Sequence, residues 1–165
     1  MQLRIKQRVF SWADKFDIYD ENDQVKYTVQ GEFFSFGRRL HIYDTYGEEV
    51  GLVRQKVWSF LPKFYIERGG EPIGLISKAF TWWKPKYEID YLGWRCEGNW
   101  TGWDYYIDDA NGSLIATIKK ELFHWGDTYV ITYDLPEDEL PILMLVLAID
   151  AATADAAAAA AASGS

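Results

Sequence analysis

The chain of 165 residues is 48% apolar and holds 8 Trp, 11 Tyr and 9 Phe, which excludes a disordered polymer and supplies one packed core. Its formal charge of −8 excludes a general nucleic-acid binder, because neutralising phosphates takes a basic face. The single cysteine, Cys96, excludes an internal disulfide and fits a reducing compartment. The opening residues, Met1 to Lys6, alternate polar and apolar side chains and lack the apolar run of a signal peptide, so a first strand is expected near residues 3–12. A repeat follows. Phe16-Asp17-Ile18-Tyr19-Asp20 is echoed by Leu40-His41-Ile42-Tyr43-Asp44, then by Phe64-Tyr65-Ile66-Glu67 and Tyr87-Glu88-Ile89-Asp90. Tyr105-Tyr106-Ile107-Asp108 and Thr128-Tyr129-Val130 continue the series. Most units run into an acidic or glycine turn, at Asp20–Asp23, Asp44–Gly47, Gly69-Gly70 and Asn111-Gly112. Gly-Gly and Asn-Gly suit the positive φ of two-residue hairpin turns. Longer strands come next, as at Glu49–Trp58 and Ser113–Lys120, whose partial alternation predicts one buried face. The pattern predicts roughly twelve strands, enough for an up-and-down sheet to close on itself.

The end of the chain changes character. All aromatic residues precede position 134, and Lys120 is the last basic residue. Leu140-Pro141-Ile142-Leu143-Met144-Leu145-Val146-Leu147-Ala148-Ile149 predicts a helix with no polar face, over about 138–154. Glu137, Asp138 and Glu139 complement its positive N-terminus, and Pro141 suits its first turn. A membrane span needs about 20 apolar residues, and Asp150 and Asp155 interrupt this run too early. The expected arrangement is a single domain over 1–155, mainly β: a closed antiparallel barrel around a central hydrophobic C-terminal helix. Residues 156–165 are expected to form a flexible alanine-rich tail.

Phe16–Asp20, Leu40–Lys56, Phe64–Lys78, Tyr105–Lys120 and Leu140–Ile149 together resemble the Tubby C-terminal-like fold. The wording of the repeats is most similar to the LURP-one-related family, and to its bacterial YxjI-like members. The resemblance covers nearly the whole chain short of the alanine tail, and it implies a closed barrel around a hydrophobic helix. In the wider fold, Tubby proteins bind phosphoinositide head groups through basic side chains, related scramblases act at membranes, and a role in plant defence has been suggested for LURP-one relatives. No dense basic cluster here matches the Tubby lipid site, so the resemblance assigns no site residue.

Enzyme motifs are absent from the sequence, and the two histidines, His41 and His124, have no nucleophile motif beside them. Arg95 could lower the Cys96 thiol, though a lone cysteine usually packs as an inert residue. The acidic turns Asp20–Asp23 and Asp108–Gly112 offer oxygens to a cation but lack the calcium-loop pattern, so no metal and no cofactor is expected. If the repeats stack in register, acidic corners fall at one barrel end, with Asp20, Asp44, Glu67 and Asp108. The opposite corners mix bases and aromatics: Arg38, Arg39, Lys63, Trp82, Trp83, Lys84 and Lys86. Such a rim suits an anionic surface. The expected function is a non-enzymatic, cytoplasmic interaction module, peripheral to the membrane, whose partner is an anionic lipid head group or another protein. A small-molecule or acyl-chain carrier is the alternative, and a cryptic hydrolase the third.

Overall fold

A computed structural model describes residues 1–6, 15–34, 37–59, 63–79, 86–99, 104–123 and 126–163. Twelve strands follow one another: β1 Gln2–Lys6, β2 Lys15–Asp20, β3 Val25–Phe34, β4 Gly37–Tyr43, β5 Glu49–Gln55 and β6 Lys63–Arg68. They continue as β7 Glu71–Ala79, β8 Lys86–Asp90, β9 Arg95–Asn99, β10 Asp104–Asp108, β11 Leu114–Phe123 and β12 Gly126–Tyr133. Helix α1, Glu139–Ser163, completes the chain after a short 3-10 turn at Pro136–Asp138.

Apart from β8 and β9, each strand pairs antiparallel with its neighbour in sequence, and β1 pairs with β12, so a single sheet curls from β8 round to β9. The barrel is nearly closed. Only β8 and β9 meet without a ladder among the described residues.

Period-two alternation turns one residue set inward on every strand. Ile18, Ile42 and Ile66 from successive repeats are all buried, as are Ile76 and Ile107. Inward residues face one another across strands: Ile5 opposite Ile18, Val29 opposite Ile42, Leu40 opposite Val53, Val53 opposite Ile66. The last repeat is out of phase. Tyr129 and Ile131 take the inward positions opposite Ile5 and Leu3, and Val130 stands on the other face opposite Arg4.

The interior belongs to α1. Every residue from Leu140 to Ile149 is buried, on all sides of the helix, as a wholly apolar sequence requires. Gly51 permits close approach to β5, since a Cβ there would lie 2.9 Å from Met144 Sδ. The helix does not stop near 154. It continues to Ser163 because alanine is the strongest helix former.

Three acidic turns share one construction. The Oδ1 of Asp20 accepts the N–H groups of Asn22 and Gln24, at 2.8 and 2.9 Å. Asp44 does the same for Tyr46 and Glu48, and Asp109 for Asn111 and Ser113. The residue three after each aspartate has positive φ: Asp23 at 59°, Gly47 at 83°, Gly112 at 84°. The Asn-Gly pair is therefore part of a longer, aspartate-organised loop, and Gly69-Gly70 forms the expected two-residue turn, with φ of 60° and 80°.

Leu143 and Leu147, one turn apart, share a face of α1 and Leu145 points to the opposite side, and each is at most 1% exposed. Leu143→Ala, Leu145→Ala and Leu147→Ala should each lower stability by about 2–5 kcal/mol in denaturant titration. A neutral replacement at any one would mean that the barrel is open on that side.

Candidate functional site

Strand order sorts the chain's charges into two ends. Asp20 and Asp108 end β2 and β10, Glu67 is next to last in β6, and Asp44 directly follows β4, all at the end where α1 begins. Arg38, Arg39, Lys63 and Lys86 begin β4, β6 and β8, at the opposite end. Trp82, Trp83 and Lys84 lie outside the described residues, as does His124.

The adjacent arginines do not share a face. Arg38 has the parity of inward Leu40 and Ile42, whereas Arg39 points outward, exposed, opposite Arg54 of β5. Arg54 is committed to Glu67, with Nε 2.8 Å from Oε1, and its guanidinium lies 4.9 Å from the Tyr65 ring centre. Glu67 is thereby covered on the barrel wall rather than displayed on an acidic rim.

The corner between β5 and β6 holds what the sequence pattern concealed. The Lys56 N–H donates to the Lys63 carbonyl at 2.8 Å and closes the base of the loop. Beyond this pair stands Trp58, 97% exposed and at φ 66°. Val57 beside it is also exposed, and its Cγ2 lies 3.1 Å from where a Cβ on Gly37 would sit. In the sequence Trp58 continues the alternation of β5, so it reads as a strand residue. Its left-handed backbone ends that alternation and turns the indole outward. This indole, in the loop whose base joins Lys56 to Lys63, is the most exposed large apolar side chain among the described residues.

At the other end, Glu139 is buried at the start of α1 and accepts from Lys26 Nζ at 2.6 Å, Tyr27 OH at 2.7 Å and Tyr133 OH. Burial, then the neighbouring carboxylate, push the Tyr27 hydroxyl well above its ordinary value. This carboxylate is occupied in seating the helix, where the positive N-terminus also favours it.

The remaining chemical candidates are spoken for. His41 lies on the outer wall with Nδ1 2.8 Å from Glu49 and Nε2 3.3 Å from Glu32. The Cys96 thiol is buried, and burial with Asp108 and Glu97 pushes it up, away from the reactive thiolate; Arg95 points to the opposite face. Backbone donors hold Asp20 and Asp109 below the usual carboxylate range, led by the Gln24 and Ser113 N–H groups. Among the described residues no three His, Cys, Asp or Glu side chains are placed to share a metal ion. Two grooves, of about 510 and 390 Å3, lie on the wall rather than inside the barrel, the first over Thr28, Tyr43 and Asp44, the second along β8 and β9. Among the described residues no helix is long and apolar enough to cross a membrane.

Asp150 lies on α1 just past the apolar run, and burial raises it from 3.8 to about 7. A raised value in the folded state favours folding below pH 4, and this contribution is lost as pH rises through about 7. Asp150→Asn should therefore be near neutral at about pH 4 and stabilising by on the order of 2 kcal/mol at about pH 8. Equal effects at both values, in thermal melts, would place Asp150 in a water-like setting.

A family model described as LURP-one-related matches residues 1–150. The chain is 33% identical over 150 residues to the uncharacterised protein YxjI of Bacillus subtilis (strain 168), covering 91% of this chain and 92% of that one. A crystal structure of an Arabidopsis thaliana protein superposes with a TM-score of 0.62 at 15% identity, covering 91% of this chain and 90% of that chain.

Proposed function

Since the chain belongs to the LURP-one-related family, we propose that its barrel is a non-enzymatic interaction module that meets an anionic lipid surface with the end bearing Trp58. The observation that carries this reading is the corner itself: an indole 97% exposed, in the loop whose base joins Lys56 to Lys63. Exposing an indole fully to water is unfavourable, and a half-wet interface accepts both its ring and its N–H. Each lysine near an anionic bilayer adds about 1 kcal/mol. Arg39, exposed at the start of the neighbouring β4, extends the cationic margin.

The carrier alternative has less support, because the side chains of Leu140–Ile149 occupy the space a ligand would need. Hydrolysis has less again, since His41 is engaged by two carboxylates on the outer wall and, among the described residues, no nucleophile is bonded to it.

Sedimentation with phosphatidylcholine vesicles, with and without phosphatidylserine, tests the proposal. Binding should require the anionic lipid and weaken as added salt shortens the Debye length from about 10 Å at 0.1 M towards about 3 Å at 1 M. Lys56→Glu and Lys63→Glu should each reduce partitioning at least about fivefold, and Trp58→Ser should reduce it without altering the melting temperature. Equal binding to neutral vesicles, or indifference to all three substitutions, would overturn the proposal.

A further inference from the structure

The outer wall across β3, β4 and β5 carries a side chain whose chemistry the fold uses only in part. His41 stands in the middle of β4, opposite Gln30 of β3 and Leu52 of β5. Its sequence neighbours Leu40 and Ile42 are buried inside the barrel, so the imidazole lies on the outside. Even so, only 14% of the side chain is exposed. The Tyr43 ring, next along the same face, lies within 19° of parallel to it, with 6.3 Å between the ring centres. Glu49, opposite Tyr43, meets the imidazole Nδ1 at 2.8 Å. The ring is thus fixed by a stacked neighbour and by a carboxylate on one nitrogen.

The other nitrogen is unsatisfied. Nε2 is closed off from water and makes no hydrogen bond, although Glu32 Oε2 stands only 3.3 Å away. That separation fits a different kind of bond. Two ligands of a tetrahedral zinc ion, each at about 2.0–2.1 Å, lie about 3.3–3.4 Å from one another. In such a pair the carboxylate oxygen stands about 35° off the axis of the nitrogen lone pair, where a ring N–H aims poorly. A carboxylate on one ring nitrogen and a metal on the other is also the usual way in which a ligating histidine is oriented. Glu49 would accept the Nδ1 proton and so leave the Nε2 lone pair to the ion.

We infer that His41 Nε2 and Glu32 form a two-ligand site for a divalent transition ion of the zinc class, with Glu49 as the positioning residue. The remaining positions are open to water or to a ligand from another molecule. An imidazole ligand selects against magnesium and calcium, which take oxygen donors. Glu32 and Glu49 together balance the charge of the ion. Arg39, opposite Glu32, opposes it, whereas Arg54 is bound to Glu67. The site lies on the wall, involves neither Trp58 nor its lysines, and stands or falls apart from the lipid reading.

The test uses the untagged, 15N-labelled full chain carrying His124→Gln, so that every imidazole signal comes from His41. Zinc chloride is titrated in and the ring nitrogens are followed by long-range proton–nitrogen correlation. Nε2 should move saturably while Nδ1 keeps its proton, and magnesium chloride should leave both unmoved. Glu32→Gln should weaken zinc binding at least about tenfold. Glu49→Ala should weaken it about tenfold as well and leave the zinc-free ring in both tautomers. Zinc that fails to move Nε2 up to about 1 mM, that enters at Nδ1, or that binds Glu32→Gln as tightly as the parent would overturn the inference. Equal affinity with Glu49→Ala would overturn the positioning role.

Discussion

The structure depends on burying a helix that has no polar side. A helix with one apolar stripe can lie on a sheet, but Leu140–Ile149 must be covered all round. A nearly closed barrel provides that cover, and the helix in turn fills a barrel too wide for strand side chains to pack alone. The fit is made locally, by the bare backbone of Gly51 beside Met144 and by the seating of Glu139 on Lys26, Tyr27 and Tyr133. With the interior committed to packing, recognition is left to the outside: the ends, the wall and the seam.

The two ends are built differently. At the end where the helix begins, the charged side chains largely serve the fold. Asp20, Asp44 and Asp109 spend an oxygen each on their own loop backbone, and Glu139 holds three donors. Their sequence resemblance to cation loops comes from the same preference of aspartate for turns. At the other end, Trp58 makes no such contribution, since a side chain 97% exposed stabilises almost nothing around it. A large indole kept in that position is better explained by something outside the molecule.

Much of this architecture is legible in the sequence because it rests on periodicity. Isoleucines 18, 42 and 66 mark equivalent inward sites, and an uninterrupted apolar run marks a helix enclosed on all sides. What escaped depends on single backbone angles. Trp58 and Leu92 adopt positive φ without being glycine, so one hides an exposed corner inside an apparent strand and the other hides a hairpin turn. Adjacent Arg38 and Arg39 read as one basic pair, although a pleated strand sends neighbours to opposite faces. Val130 fits the repeat motif by letter and misses it by one residue in phase.

Closure through β1 and β12 has a consequence for how the molecule is made. The Met1 amine donates to the Tyr133 carbonyl across 132 residues, and Gln2 to Lys6 pair with Thr132 to Thr128. The local hairpins from β2 to β7 can form soon after their residues emerge from the ribosome, but β1 must wait for β12, and the filling helix comes later still. Until then the inward faces of the growing sheet are wet and available to other chains. The joint that hides two strand edges in the finished protein therefore concentrates its hazard in the interval between the first strand and the last helix.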